Sequence, residues 1–282
     1  MHPGKEHKPE KRSSMCSWTT GEHRRKFLEH RGIWLDRNES PKQALLRFWG
    51  EYEPPTGVES LDFDGMVGLP RLLHRPLIPM GPRPRGGQNT DPWVFGGFYY
   101  SNCQQWRKTG RTQLRNLLPG SIILFGSQLH GKFVLDTCFV IAEYLDFDRA
   151  SAPAAEWDLP PKFREAVLDP IAYGVGSCGR GRDRRLYKGV QWVNGIKEPY
   201  SFVPCLSIEA GQGSFPRPVI RGRFISDDKR QGYSLKSDPV SVWTNVRDQV
   251  LDAGLTLGVK IDGLDSEPIR GKPLIAMPGR CN

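Results

Sequence analysis

The sequence predicts an α+β fold, a β-rich single domain with helices at its periphery. Three observations point there. Short apolar runs bounded by Pro and Gly recur along the chain, which holds 31 Gly and 24 Pro in 282 residues. Two of these runs, in LLPGSIILFGS (Leu117 to Ser127) and KFVLDTCFVIAEY (Lys132 to Tyr144), are apolar on both faces and belong at the centre of a sheet. A capped amphipathic segment near residue 240 supplies a peripheral helix, and no internal repeat or clean boundary divides the chain.

Residues 1–15 are polar and basic and are expected to form a disordered arm, with one domain over 16–282. Thr19 and Glu22 match a capping box, so His23 to His30 is expected as a short helix with Phe27 and Leu28 on its apolar side. FWGEY (Phe48 to Tyr52) reads as a strand placing aromatic and carboxylate side chains on alternate faces. Residues 53–92, rich in Pro, Gly and Arg, read as one long loop. Val94 to Tyr100 is expected as an aromatic strand, and Gln104 to Leu118 as a basic helix.

Pro119-Gly120 turns the chain into the first central strand, and Gln128 to Gly131 leads to the second. Pro160-Pro161 opens a short helix to Leu168. Phe202 to Ile208 and Val219 to Ile225 read as strands. Ser237 or Asp238 caps a helix with Pro239 in its first turn; Val242, Trp243, Val246 and Val250 line one face, and Gly254 ends it. Leu255 to Ile261 alternates with period two, as a final strand does.

Composition narrows the function classes. No run approaches the ~20 apolar residues of a membrane span, and the N-terminus lacks the apolar stretch of a secretory signal. A cytoplasmic protein without a membrane partner is expected. Six cysteines, with no CxxC pair and no clustering with histidine, predict reduced thiols and neither a zinc site nor a disulfide framework. No metal or cofactor is expected. The net charge of +9 favours an anionic partner.

That charge is clustered at 24–31, 71–85, 107–115 and 180–188. Aromatic residues, among them Trp18, Trp34, Trp49, Trp93, Tyr100 and Trp106, interleave with the first three clusters. Arginines hold phosphates and aromatic faces stack bases, so the combination suits single-strand or flipped-base recognition. Solvated arginines around an aromatic core are the plainer alternative. On the first reading Arg24, Arg25, Arg107 and Arg111 hold phosphates, Trp49 and Tyr100 stack the base, and Glu51, Asn102 and Gln104 read its edge. Otherwise the amides of Asn102 and Gln104 serve loop backbone.

Asp136 sits in an apolar strand and must be paired, by an Arg, a hydroxyl or backbone N–H groups. With Glu51 and Asp91 it makes a set of candidate acids or bases, the basis of an alternative reading as a nuclease, glycosylase or nucleotide-transfer enzyme. Gly174 to Gly179 matches GxGxxG, but RGRDRR follows it where a dinucleotide fold needs a helix, and a basic phosphate-contacting loop fits better. Cys103, His130 and Asp136 are the residue types of a triad with nothing in the sequence to join them, and Ser101 lacks a nucleophile elbow.

Pro119-Gly120-Ser121 leading into Ile122 to Phe125, and the return run Phe133 to Ala142, resemble part of the PUA-like superfamily, which includes the ASCH, EVE and YTH groups. The resemblance covers about a tenth of the chain and implies a small β-barrel core that accepts a flipped or modified base, with Trp49, Trp93 and Tyr100 available to line an aromatic cage. The leading expectation is a nucleic-acid-binding protein reading a modified or unpaired base, in nucleic-acid modification or defence. A non-catalytic scaffold for an acidic protein is the third.

Overall fold

The computed structural model describes residues 2–3, 6, 25–54, 56–61, 68–77, 90–101, 104–107, 110–147, 157–169, 184–196, 199–210, 213–225 and 237–264. One sheet runs in the order β13 (Thr256–Ile261), β12 (Val203–Ser207), β3 (Pro41–Gly50), β2 (Lys26–Leu35), β5 (Leu72–Pro76), β4 (Thr56–Ser60). Because β13 also pairs with β2, the strands β2, β3, β12 and β13 close into a small four-stranded barrel. A second sheet runs β1 (His2–Pro3), β9 (Ile122–Leu129), β10 (Lys132–Phe147), β11 (Arg184–Gly189), β6 (Tyr99–Tyr100). The protein is strand-rich, as expected.

β2 occupies the segment expected as a helix. Phe27 and Leu28 are both fully buried and enter different core clusters, so the chain here needs two apolar faces, which a strand has and a surface helix lacks. One edge of β2 is shared: Phe27 and Leu28 pair in parallel with β5, and Gly32 to Leu35 pair antiparallel with β13. The stretch expected as one loop over 53–92 therefore contributes two strands, β4 and β5, which pair with each other. FWGEY ends its ladder at Gly50.

The β9–β10 hairpin matches its expectation, with His130 and Gly131 as a two-residue turn in which both residues have positive φ. β10 is central in its sheet. Its register with β9 shifts between Leu135 and Thr137, so Asp136 is the extra residue of a bulge. Phe202, just before β12, exchanges two backbone hydrogen bonds with Cys138 at 2.9 Å, which ties the second sheet to the entry of the barrel.

The C-terminal helix α2 (Pro239–Asp252) forms as expected. Asp238 accepts from the Ser241 N–H at 2.9 Å, Trp243, Val246 and Val250 are buried, and Gly254 takes φ of 76° past its end. The final strand also forms, as does the short α1 (Pro161–Phe163), which continues as a π-helical turn to Leu168. Three further segments differ. Among the described residues of 104–118, β7 (Trp106–Arg107) and β8 (Gly110–Arg111) form a ribbon followed by a 3-10 turn, Gln113–Asn116. Of 94–100, only Tyr99 and Tyr100 join a ladder, with Phe95 in a single bridge. Val219 makes one bridge, to Val134, before the chain turns at Gly222.

Within 1–15, the three described residues are in backbone pairings: His2 and Pro3 run parallel to Ser127 and Gln128, and Glu6 bridges Arg25. Among the described residues no helix is long and apolar enough to cross a membrane.

Candidate functional site

The bulge at Asp136 aims its carboxylate at Arg25, the residue preceding β2. Arg25 Nε donates to Asp136 Oδ2 at 2.7 Å, and its Nη1 donates to Glu51 Oε2 at 2.5 Å. Arg217 lies on the far side of Asp136, its Nη1 3.6 Å from Oδ1 and within 3.2 Å of the Ser127 hydroxyl. Its guanidinium stands 5.2 Å over the Trp49 ring, whose Nε1–H donates to the Phe215 carbonyl at 2.9 Å. Arg25, Glu51, Asp136, Arg217 and Trp49 are all buried. Burial opposes the charge on Arg25, but Glu51 and Asp136 outweigh it and hold its pKa above the ordinary value. Arg217 goes the other way, lowered by burial despite Asp136.

Glu51 and Asp136 thus converge, but on a fixed cation that stands between them. Such an arrangement compensates buried charge and leaves little room for proton transfer to a substrate. Asp91 has a different setting: it accepts from the Ser101 N–H at 3.0 Å and lies 3.4 Å from the Ser101 hydroxyl. His130 is in the β9–β10 turn, apart from this cluster in the chain's ladder, and Cys103 lies outside the described residues.

The residues expected to stack a base do not face one another in an open cage. Trp49 packs against Phe27 and Arg217 in one core cluster, whereas Trp93 and Tyr100 belong to the other. Each is at most 4% exposed. Tyr100 stacks on Tyr187 with centroids 5.6 Å apart and planes within 6°, and packs T-shaped with Phe125 at 5.3 Å. Aromatic residues with this much apolar area were recruited by the core.

A different constellation reaches the surface. The Gln105 side chain exchanges two hydrogen bonds with the Arg185 backbone, Nε2 to O at 2.6 Å and N to Oε1 at 2.9 Å, as an extra residue of the ladder would. Tyr187 donates its hydroxyl to the Leu114 carbonyl at 2.7 Å. Asp146 binds Arg185 through two bonds, 2.7 and 2.9 Å, and Arg115 Nη1 at 2.8 Å. Residues 110–115 and 184–188, far apart in sequence, therefore meet, with Arg115 buried at the junction and Arg111 exposed. Arg185 lies 3.6 Å from the centroid of the half-exposed Tyr144 ring. Exposed Arg111 covers Trp106 at 5.4 Å. The hydrogen bonds from Arg185 hold the Asp146 carboxyl below its ordinary pKa.

Of the expected phosphate and base contacts, Arg111 belongs to this surface, and the Arg107 backbone pairs with Gly110 in the same ribbon. Gln104 is half-buried, with φ of 63°, and its carbonyl accepts from Thr112 Oγ1. Arg25, Trp49 and Glu51 form the buried cluster instead. Arg24, Asn102, the Thr19–Glu22 capping box and the Gly174–Gly179 loop lie outside the described residues. Tyr144, Asp146 and Arg217 carried no individual signal: the first two end a long apolar run, and the third sits among turn residues. Gln105 was visible only as a neighbour of Gln104.

Among the described residues no group of three or more His, Cys, Asp or Glu is placed to hold a metal ion. Comparison of the chain with protein-family models, with curated proteins and with solved structures returned no match.

Proposed function

We propose that this protein binds nucleic acid, recognising an unpaired or modified base in the manner of PUA-like modules. The observation that carries the reading is the joining of residues 110–115 and 184–188 by Gln105, Tyr187 and Asp146, with exposed Arg111 over Trp106 and Arg185 over Tyr144. Arginine on an aromatic ring is partly desolvated and held in place, which suits contact with a phosphate backbone. The small closed barrel and the chain's charge of +9 are compatible with it.

Fluorescence anisotropy with labelled single-stranded and duplex oligonucleotides tests the proposal. If roughly five phosphates are neutralised, log affinity falls against log salt with a slope of about −4.5 on duplex DNA and less steeply on single strands. Arg111→Glu weakens binding to every sequence. No binding to DNA or RNA at low salt, or binding insensitive to salt, refutes the proposal.

A further inference from the structure

We infer that Tyr144 is the stacking platform of this surface and that it takes an unpaired base, a purine in preference to a pyrimidine. The inference rests on the nucleic-acid reading above and deepens it.

Across the register of β10, β11 and β6, Tyr144 is paired with Tyr187 and Tyr187 with Tyr100. The three rings form a row that runs from the core to the surface. Tyr100 and Tyr187 are buried, and Tyr144 at 37% exposure is the accessible end. The row holds Tyr144 by an edge contact with Tyr187 at 6.1 Å. The Arg185 guanidinium, fixed by its two bonds to Asp146, covers Tyr144 at 3.6 Å. A ring so held loses little freedom when a ligand arrives.

The chemistry selects the ligand. A duplex keeps its base faces stacked internally, so only an unpaired base offers a face to an exposed ring. A cation on one side of a phenol ring draws its π density toward that side and leaves the other less negative. The depleted face suits the larger, electron-rich ring of a purine. Arg111, exposed on the β7–β8 ribbon that Gln105 ties to Arg185, neutralises a flanking phosphate.

Tyr144→Leu keeps an apolar, strand-compatible side chain without the ring; Tyr144→Phe keeps the ring. Affinity for a single-stranded purine oligonucleotide is expected to fall about 5- to 160-fold in Tyr144→Leu, the range that base–aromatic stacking spans, with duplex affinity and salt slope unchanged. Tyr144→Phe behaves like the wild type. A 2-aminopurine probe in the strand is quenched on binding wild type and Tyr144→Phe but not Tyr144→Leu. The inference is overturned if Tyr144→Leu binds and quenches like the wild type, if it loses single-strand and duplex binding equally, or if the purine preference survives in it. Absence of wild-type binding to any oligonucleotide refutes the nucleic-acid reading itself.

Discussion

Arg25, just before β2 of the barrel sheet, and Asp136, in β10 of the second sheet, meet at 2.7 Å, and the contact depends on a bulge that turns one residue of β10 out of register. The pair locks the barrel to the second sheet at a point where both partners are nearly inaccessible to water.

Replacing Arg25 with Met is expected to destabilise the protein by about 3–5 kcal/mol, because Glu51 and Asp136 are left buried without their shared cation. The combined variant Arg25→Met, Glu51→Met, Asp136→Leu, Arg217→Met, which removes every charge of the cluster, recovers most of that loss. Urea titration at pH 7 measures both. A single variant as stable as the wild type contradicts the role given to this cluster.

Lys26 points away from Arg25, donating to the Pro54 carbonyl at 3.1 Å. Burial pushes its pKa down to about 7, against the opposing pull of Glu53. In the unfolded chain the ammonium keeps its proton up to about 10.5. Above pH 7 the unfolded state therefore binds more protons than the folded one, and stability rises with pH. The buried thiols of Cys138 and Cys205, pushed up from 9, reverse the trend above that value. Between pH 7 and 9 the expected gain is at most about 1.4 kcal/mol per pH unit, and Lys26→Met flattens it. Urea midpoints at three pH values in that window decide the matter.

Gly32 stands at the barrel seam, where a Cβ would fall 2.4 Å from the Lys260 carbonyl oxygen. Gly32→Ala must push β13 away from β2, at a cost of about 1–3 kcal/mol typical of overpacking. Faster amide exchange in residues 256–261 than in the wild type is the expected signature, and unchanged exchange there argues against a tight seam.

Gln105→Leu removes both hydrogen bonds to the Arg185 backbone. The β7–β8 ribbon should lose protection in hydrogen exchange while the barrel keeps its own, and oligonucleotide affinity should fall severalfold. Equal protection in both proteins rules out Gln105 as the link between the two basic segments.

Local signals carried the legible part of the fold. The α2 helix announces itself by Asp238, Pro239 and a period of 3.6, and the β9–β10 hairpin by apolar strands around a short turn. β2 was obscured because its charged residues are paired inside: Glu29, 2% exposed, binds Arg47 and Arg75, so the strand reads as polar while being buried. The need for a partner at Asp136 was legible from its apolar neighbours. Which Arg would answer was not, since that choice depends on how two sheets meet. Tyr100 and Trp49 illustrate the same limit: an aromatic residue suits a base or a core equally well, and packing decides.

The closing of β13 onto β2 has a consequence for synthesis. Leu35 finds its partner in Leu257, so the β2–β3 hairpin leaves the ribosome long before the strand that covers its edge. Until then the nascent chain displays Leu35 and the unpaired Gly32–Leu35 edge, an invitation to aggregation that chaperones must shield. Nonsense or frameshift lesions that remove residues 256–261 should therefore yield insoluble product, even when every residue of the proposed binding surface has been translated.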